Sequence, residues 1–209
     1  YYSGNEGEEK ALVTNNWNFA ATEIKTSTVF NYKTTDELDT SYTYRGTVTK
    51  DETIASQLPV GAVPITNDRK SITTYSGNEG EEKAMKTFNY NFDGDKIKTV
   101  TEFSYPIAAL SESSTFRANT NTGNYLLVTN DKIQSTTYYS GNEGEEKALV
   151  TNNWNFAATS IKTSTVFNYS STDELATSVT YRGTVTKAQT VASQQLVSPV
   201  AITNIRKSR

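Results

Sequence analysis

Apolar and polar positions alternate along much of this chain. In "IKTSTVFNY", Ile24, Thr26, Thr28, Phe30 and Tyr32 fall on one side of an extended strand, and Lys25, Ser27, Val29 and Asn31 on the other. Trp17 and Phe19 lie two apart, as do Phe88, Tyr90 and Phe92, with Asn or Lys filling much of the opposite side. "SYTYRGTVT" and "RKSITTYS" read as further strands. Helical spacing is weak throughout, leaving only "TDELDT" and "IAALSES" as candidate single turns of helix. The pattern predicts an all-β chain of antiparallel hairpins with under about a tenth of its residues in helix.

The strands belong to a repeat. "YSGNEGEEKA" occurs at Tyr2–Ala11, Tyr75–Ala84 and Tyr139–Ala148 without a change. At an offset of 137, 57 of 72 pairs are identical between the first and last copies. The middle copy is more distant and about nine residues shorter, the loss falling before Asn130. The chain thus reads as units A (1–74), B (75–138) and A′ (139–209), each of about four strands. No Gly/Ser- or Pro-rich linker separates them, so neighbours are expected to pack directly in a stacked or spiralling, solenoid-like and elongated array. The face Ile24-Thr26-Thr28-Phe30-Tyr32 recurs in B as Ile97-Thr99-Thr101-Phe103-Tyr105, while its opposite changes to Lys98-Val100-Glu102-Ser104. The unchanging face reads as the packed one. Trp17, Phe19, Phe30, Phe92, Phe103, Trp154 and Phe167 are accordingly expected to be buried.

Turn chemistry agrees with hairpins. Gly77-Asn78 in the decamer suits a type II′ turn, with Gly80 as a second positive-φ position, and leaves the glutamates as solvated residues of a tip. Asp93-Gly94 suits type I′ in B, whereas Ala20-Ala21 and Ala157-Ala158 imply a different turn in A and A′.

Composition narrows the chemistry. The chain has no Cys and no His, which removes thiolate chemistry and the commonest metal ligand and neutral-pH base. Net charge is −3 with no basic block, so neither nucleic acid nor an anionic membrane is expected as a partner. No apolar run reaches the length of a spanning helix. Hydrophobic residues are only 35%, but thirty-four threonines and thirteen tyrosines favour strands over disorder. Asn5, Glu6, Glu8 and Glu9 could offer Ca²⁺ hard oxygens, but they match no calcium-loop pattern and contain no Asp. The carboxylate pairs Glu8/Glu9 and Asp36/Glu37 recur as Glu145/Glu146 and Asp173/Glu174. An acid–nucleophile pair needs a set separation across a cleft and is needed once, so no enzyme is expected and no catalytic, metal or cofactor residue is assigned. Trp17, Trp154, Tyr1-Tyr2 and Tyr138-Tyr139 are the aromatics that could stack on a sugar, with the tryptophans read first as core. In each Tyr pair one ring must point away from the other.

"YNFDGDKIKT" (Tyr90–Thr99) resembles the tyrosine–aspartate (YD or RHS-type) repeat of large bacterial secreted and surface proteins, through Tyr90, Phe92, Asp93, Lys96 and Ile97, with the glycine displaced to Gly94. A and A′ carry "WNFAATEIK" and "WNFAATSIK", without the Asp. The resemblance implies stacked or spiralling antiparallel hairpins, a location outside the cell or on its surface, and no catalytic residues. The expected role is a structural repeat segment of an extracellular filament, sheath or surface array, its partners being neighbouring repeats or other copies. The alternative is an adhesin or carbohydrate-binding module, favoured if the aromatics form an exposed row. Tyr1 begins within a strand and Arg209 aligns inside the same strand of the next copy. This pattern points to a longer repetitive polypeptide or to subunits completing one another head to tail.

Overall fold

The computed structural model describes residues 1–194 and 201–206. The strands are β1 (Tyr2–Ser3), β2 (Lys10–Ala11), β3 (Val13–Trp17), β4 (Ile24–Tyr32), β5 (Leu38–Arg45), β6 (Arg69–Ser76), β7 (Lys83–Tyr90), β8 (Ile97–Ser104), β9 (Glu112–Ala118), β10 (Asn130–Ser140), β11 (Lys147–Trp154), β12 (Ile161–Tyr169) and β13 (Leu175–Arg182). Two short helices, α1 (Lys50–Ser56) and α2 (Lys187–Ser193), and a 3₁₀ turn at Tyr125–Leu127 complete the elements. Strand accounts for 47% and helix for 8%, as the alternation predicts. The helices are not where they were expected. "TDELDT" supplies a turn and the start of β5, and "IAALSES" contributes only to β9. Both helices instead begin at a capping box. Thr49 Oγ1 accepts from the Glu52 amide while Glu52 Oε2 accepts from the Thr49 amide, and Thr186 and Gln189 repeat the arrangement.

The chain divides into two compact units. The first comprises Tyr1–Val100 and Ala118–Thr129, the second Thr101–Arg117 and the chain from Asn130 onward. In the first unit β3 to β8 are hydrogen-bonded in chain order, and in the second β9 to β13 are. Every register determined along these meanders is antiparallel. β3–β4 and β11–β12 share one register, Val13 opposite Val29 and Val150 opposite Val166, as their near-identical sequences require. The strand expected to continue to Arg209 is seen only at its start, where Arg206 bridges Tyr181; Arg209 lies outside the described residues.

In β4 and β12 the covered face is mainly the opposite of the one expected, whereas in B Phe88, Tyr90 and Ile97 of the expected face are buried. In β4 Ser27 and Val29 are the most deeply buried positions, covered by the connection after β5 that folds back with α1, and Thr26 on the other face is 8% exposed. Val13, Val29, Tyr44 and Val48 form one core cluster, and Val150, Val166, Tyr181 and Val185 form its counterpart in the second unit. In B the covered cluster is Ile72, Phe88, Tyr90, Ile97, Val100 and Val128, closed by Tyr125. Ile97 and Val100 share that cluster although strict alternation would separate them.

The face that recurs unchanged is a half-exposed ladder of hydroxyls. Thr28–Thr43, Thr73–Thr87, Thr101–Thr115, Thr137–Thr151 and Thr165–Thr180 pair Oγ1 to Oγ1 at 2.8–3.1 Å. Asn16, Asn89 and Asn153 donate to Thr26, Thr99 and Thr163. Identity persists there because a cross-strand hydroxyl pair needs a particular partner, whereas the covered face needs only apolar volume under a given connection. The aromatics expected in the core sit accordingly. Phe19 is fully exposed, Trp17 is 56% and Phe92 76% exposed, and Phe30, Phe103, Trp154 and Phe167 are half-buried; Phe156, which occupies the place of Phe19 in A′, is 78% exposed.

Candidate functional site: the junction between repeats

The decamer builds a six-residue tip. In B the last β6–β7 pair is Ser76–Lys83, and the turn closes by the Glu81 amide donating to Asn78 O, with Gly80 in its third position at φ +79°. The reversal is therefore centred on Glu79-Gly80 rather than on Gly77-Asn78. Gly77 is still required: its φ is +139°, and a Cβ there would lie 2.6 Å from Glu81 O. The second hairpin also differs from the expectation. Ala21 and Ala158 adopt positive φ like Gly94, so all three copies use one turn. Asn18, Asn91 and Asn155 organise it by accepting, through Oδ1, from the amides of Thr22, Asp95 and Thr159.

These two tips join successive repeats. At the A–B junction, within the first unit, Glu82 Oε2 accepts from the Gly80 amide at 2.9 Å, which aims Oε1 at the Leu38 amide, 2.8 Å away. That bond, with smaller help from its own tip amides, holds the Glu82 carboxyl below the usual carboxylate range. The Tyr75 hydroxyl meets the Ser41 hydroxyl at 3.0 Å. The Arg45 guanidinium lies 4.9 Å from the Phe92 ring centre, and its Nε donates to Phe92 O at 3.0 Å. At the B–A′ junction, within the second unit, the same three contacts recur. The Leu110 amide donates to Glu146 Oε1 at 2.8 Å, Tyr139 meets Ser113 at 3.0 Å, and Arg117 covers the Phe156 ring at 4.3 Å while its guanidinium donates to Phe156 O.

The third glutamate of the second and third tips, Glu82 and Glu146, is thus an acceptor for the preceding repeat and not only a solvated residue. Arg45, Arg117 and Arg182 were not singled out in the sequence, although the arginine of "TYRGT" and "TFRAN" and the phenylalanine of "NF" recur once per copy. Spacing alone does not say that they meet, because about 40 residues of intervening chain separate the pair.

The candidate ligand residues fall elsewhere. Asn5, Glu6, Glu8 and Glu9 all lie exposed on the first tip. Glu8, Glu9, Asp36 and Glu79 border a shallow depression that also contains Lys10, whose Nζ binds Asp36 at 2.7 Å and reaches Glu79 at 3.5 Å. In A′, Glu145, Lys147 and Asp173 border the equivalent depression, with Lys147 paired to Asp173; Glu174 meets Thr172 and Glu146 serves the junction. The carboxylates surround a lysine in both places. Among the described residues no group of three or more Asp, Glu, His or Cys is placed to hold a metal ion. Tyr1 and Tyr2 are exposed, whereas Tyr138 packs on the core cluster of the second unit and Tyr139 turns to Ser113. No protein-family model matches this sequence, and no curated protein does.

Proposed function

We propose that this chain is a structural repeat segment of an extracellular filament, sheath or surface array and has no catalytic role. The observation that carries the reading is the junction: Glu to backbone amide, Tyr to Ser, and Arg over Phe occur with the same atoms at both A–B and B–A′. A contact set that each repeat offers to the next suits a stacked or spiralling, elongated array whose stability grows with length. The tyrosine–aspartate-like hairpin around Phe92 is one half of that contact, consistent with a surface-protein repeat and a location outside the cell. The test is urea unfolding of chains with three, five and seven repeats. The midpoint is expected to rise with repeat number, and negative-stain microscopy of native material to show filaments or sheets. An unchanged midpoint together with discrete particles would refute the reading.

One observation favours the adhesin alternative. Trp17, the last residue of β3, and Phe19 just after it are both exposed, as the rings of a sugar-stacking platform would be. Phe92 and Phe156 are occupied by arginines, so the platform is confined to one edge. Binding to surface polysaccharides that Trp17→Ala and Phe19→Ala both abolish would support it.

A further inference from the structure

Each of the two longer repeats holds a cavity between its sheet and the connection folded over it. In A, within the first unit, the cavity is about 310 Å³. Its sheet side is Val29 and Asn31 of β4, Tyr42 and Tyr44 of β5 and Arg69 of β6, and Gln57, Pro64 and Ile65 are on the covering side. In A′, within the second unit, it is about 320 Å³, and all eight described lining residues stand 137 positions after a lining residue of A. Six keep their residue type, and only Tyr42 and Pro64 change, to Val179 and Ala201. Seven of the fifteen pairs from Leu58 to Ile72 differ between the copies, yet Ile65 and Arg69 recur. The wall is fixed by bonds that also recur. Gln57 Nε2 donates to Phe30 O at 2.9 Å and to Asn31 Oδ1 at 2.6 Å, and Gln194 repeats both bonds with Phe167 and Asn168.

Arg69 is the one charged residue of the lining in A, as Arg206 is among the described lining of A′. It is half-buried beside the Tyr44 and Tyr90 hydroxyls, and among the described residues no carboxylate is paired with it. A guanidinium stays charged and carries five N–H donors, more than two phenol oxygens use, so the cavity favours an anion. An inorganic anion would leave its outer oxygens against the side chains of Val29, Pro64 and Ile65, which offer no hydrogen bond. A carboxylate instead gives two oxygens to the guanidinium fork and an organic body to those walls. The Tyr42 and Tyr44 rings stack with centroids 6.5 Å apart and planes within 16°, a surface that suits a flat ring. We propose that the cavity beneath the α1 connection binds a small aromatic carboxylate, held by its two oxygens on the Arg69 guanidinium and by its ring against Tyr42, Tyr44 and Ile65. A′ carries a second, weaker site at Arg206, where Val179 replaces one of the rings. This binding goes beyond the structural reading above and does not depend on it.

Proton–nitrogen correlation NMR of the 209-residue chain during titration with sodium benzoate tests the proposal. Acetate and benzyl alcohol are the control probes, each lacking one half of the ligand. The Arg69 Nε–H signal is expected to move and to saturate at about millimolar benzoate or below, and both controls to bind at least about ten-fold more weakly. Arg69→Met should abolish the response of the first unit and leave that of Arg206. Because Arg69 borders the core through Tyr44, a variant that keeps the packing is tested beside it. Tyr42→Val copies the lining of A′ and should weaken benzoate in the first unit about two- to ten-fold, and Val179→Tyr should strengthen it in the second by a like factor. The proposal is overturned by an Arg69 signal that does not saturate, or by acetate or benzyl alcohol binding as well as benzoate. A folded Arg69→Met chain that binds like the parent would overturn it too, as would a Tyr42→Val and Val179→Tyr exchange that leaves both affinities unchanged.

Discussion

Ser27 has no exposed surface, and its hydroxyl serves two backbone groups. It donates to Gly46 O at 2.9 Å and accepts from the Val48 amide at 2.8 Å, pinning the start of the covering connection to β4. Ser164 does the same for Gly183 and Val185. In B the equivalent position is Val100, buried in an apolar cluster under a shorter connection. Ser27→Ala strands a buried amide and carbonyl, so we expect a loss of about 1–3 kcal/mol, read as a lower urea midpoint with unchanged slope. Ser27→Ala together with Ser164→Ala should lose about twice as much, since the two sites share no partner. The sequence pattern placed Ser27 opposite the face it read as packed. Nothing in the order of residues says which side of a strand a later connection will cover.

At the scale of the element, β3 and β11 carry one sequence in two environments. Trp17 is 56% exposed on its edge strand, and Trp154 is half-buried on an inner one, beside β10. Trp154→Ala is therefore expected to cost about 2–3 kcal/mol, below the range for a fully buried aromatic, and Trp17→Ala under about 1 kcal/mol. Thermal melts at micromolar concentration check this, and acrylamide should quench Trp17 more strongly than Trp154. Equal costs would mean that the edge is covered in the dilute chain. The existence and spacing of these strands were legible, because period-2 alternation and the repeat both mark them. The helices were missed because a seven-residue segment leaves too little periodicity to notice. Their signal was the capping box, Thr49 with Glu52 and Thr186 with Gln189.

Across the whole molecule, ionisable groups set the range of pH over which it holds together. Tyr32, Tyr44, Tyr90, Tyr125 and Tyr138 are all raised, in each case chiefly by burial, with Tyr125 pushed up to about 12. The folded state favours their neutral phenols, so this stability is complete below the ordinary tyrosine value of 10.0 and is lost as pH climbs through the raised values. Glu82 is lowered by the Leu38 amide, Glu52 by the Thr49 amide and Glu37 by the Thr35 hydroxyl. Their contribution is present above the ordinary value of 4.5 and is lost as pH falls through the lowered ones. With no histidine to titrate between, melting temperature should stay level from about pH 6 to 9 and fall on both sides. A pronounced slope near pH 7 would contradict this account. The acid fall should be reduced in Glu82→Gln, since the junction carboxylate no longer titrates.

The amino-acid sequence by itself determined that the chain is β, that its hairpins are antiparallel, and that three copies of one unit follow each other. These are local properties: alternation, glycine at positive-φ turns, and tandem identity act over a few residues or by direct comparison. Tertiary structure alone decided which face is covered, because α1 and its connection fold back from residues about 20 positions later to reach Ser27 and Val29. It also decided that Glu82 and Phe92 meet Leu38 and Arg45, contacts more than 40 residues apart in the chain. An invariant face looked like a core because packing and pairing both conserve residue types. Only three-dimensional placement tells a ladder of paired hydroxyls from a buried layer, since threonine serves both and alternation records only that two faces differ.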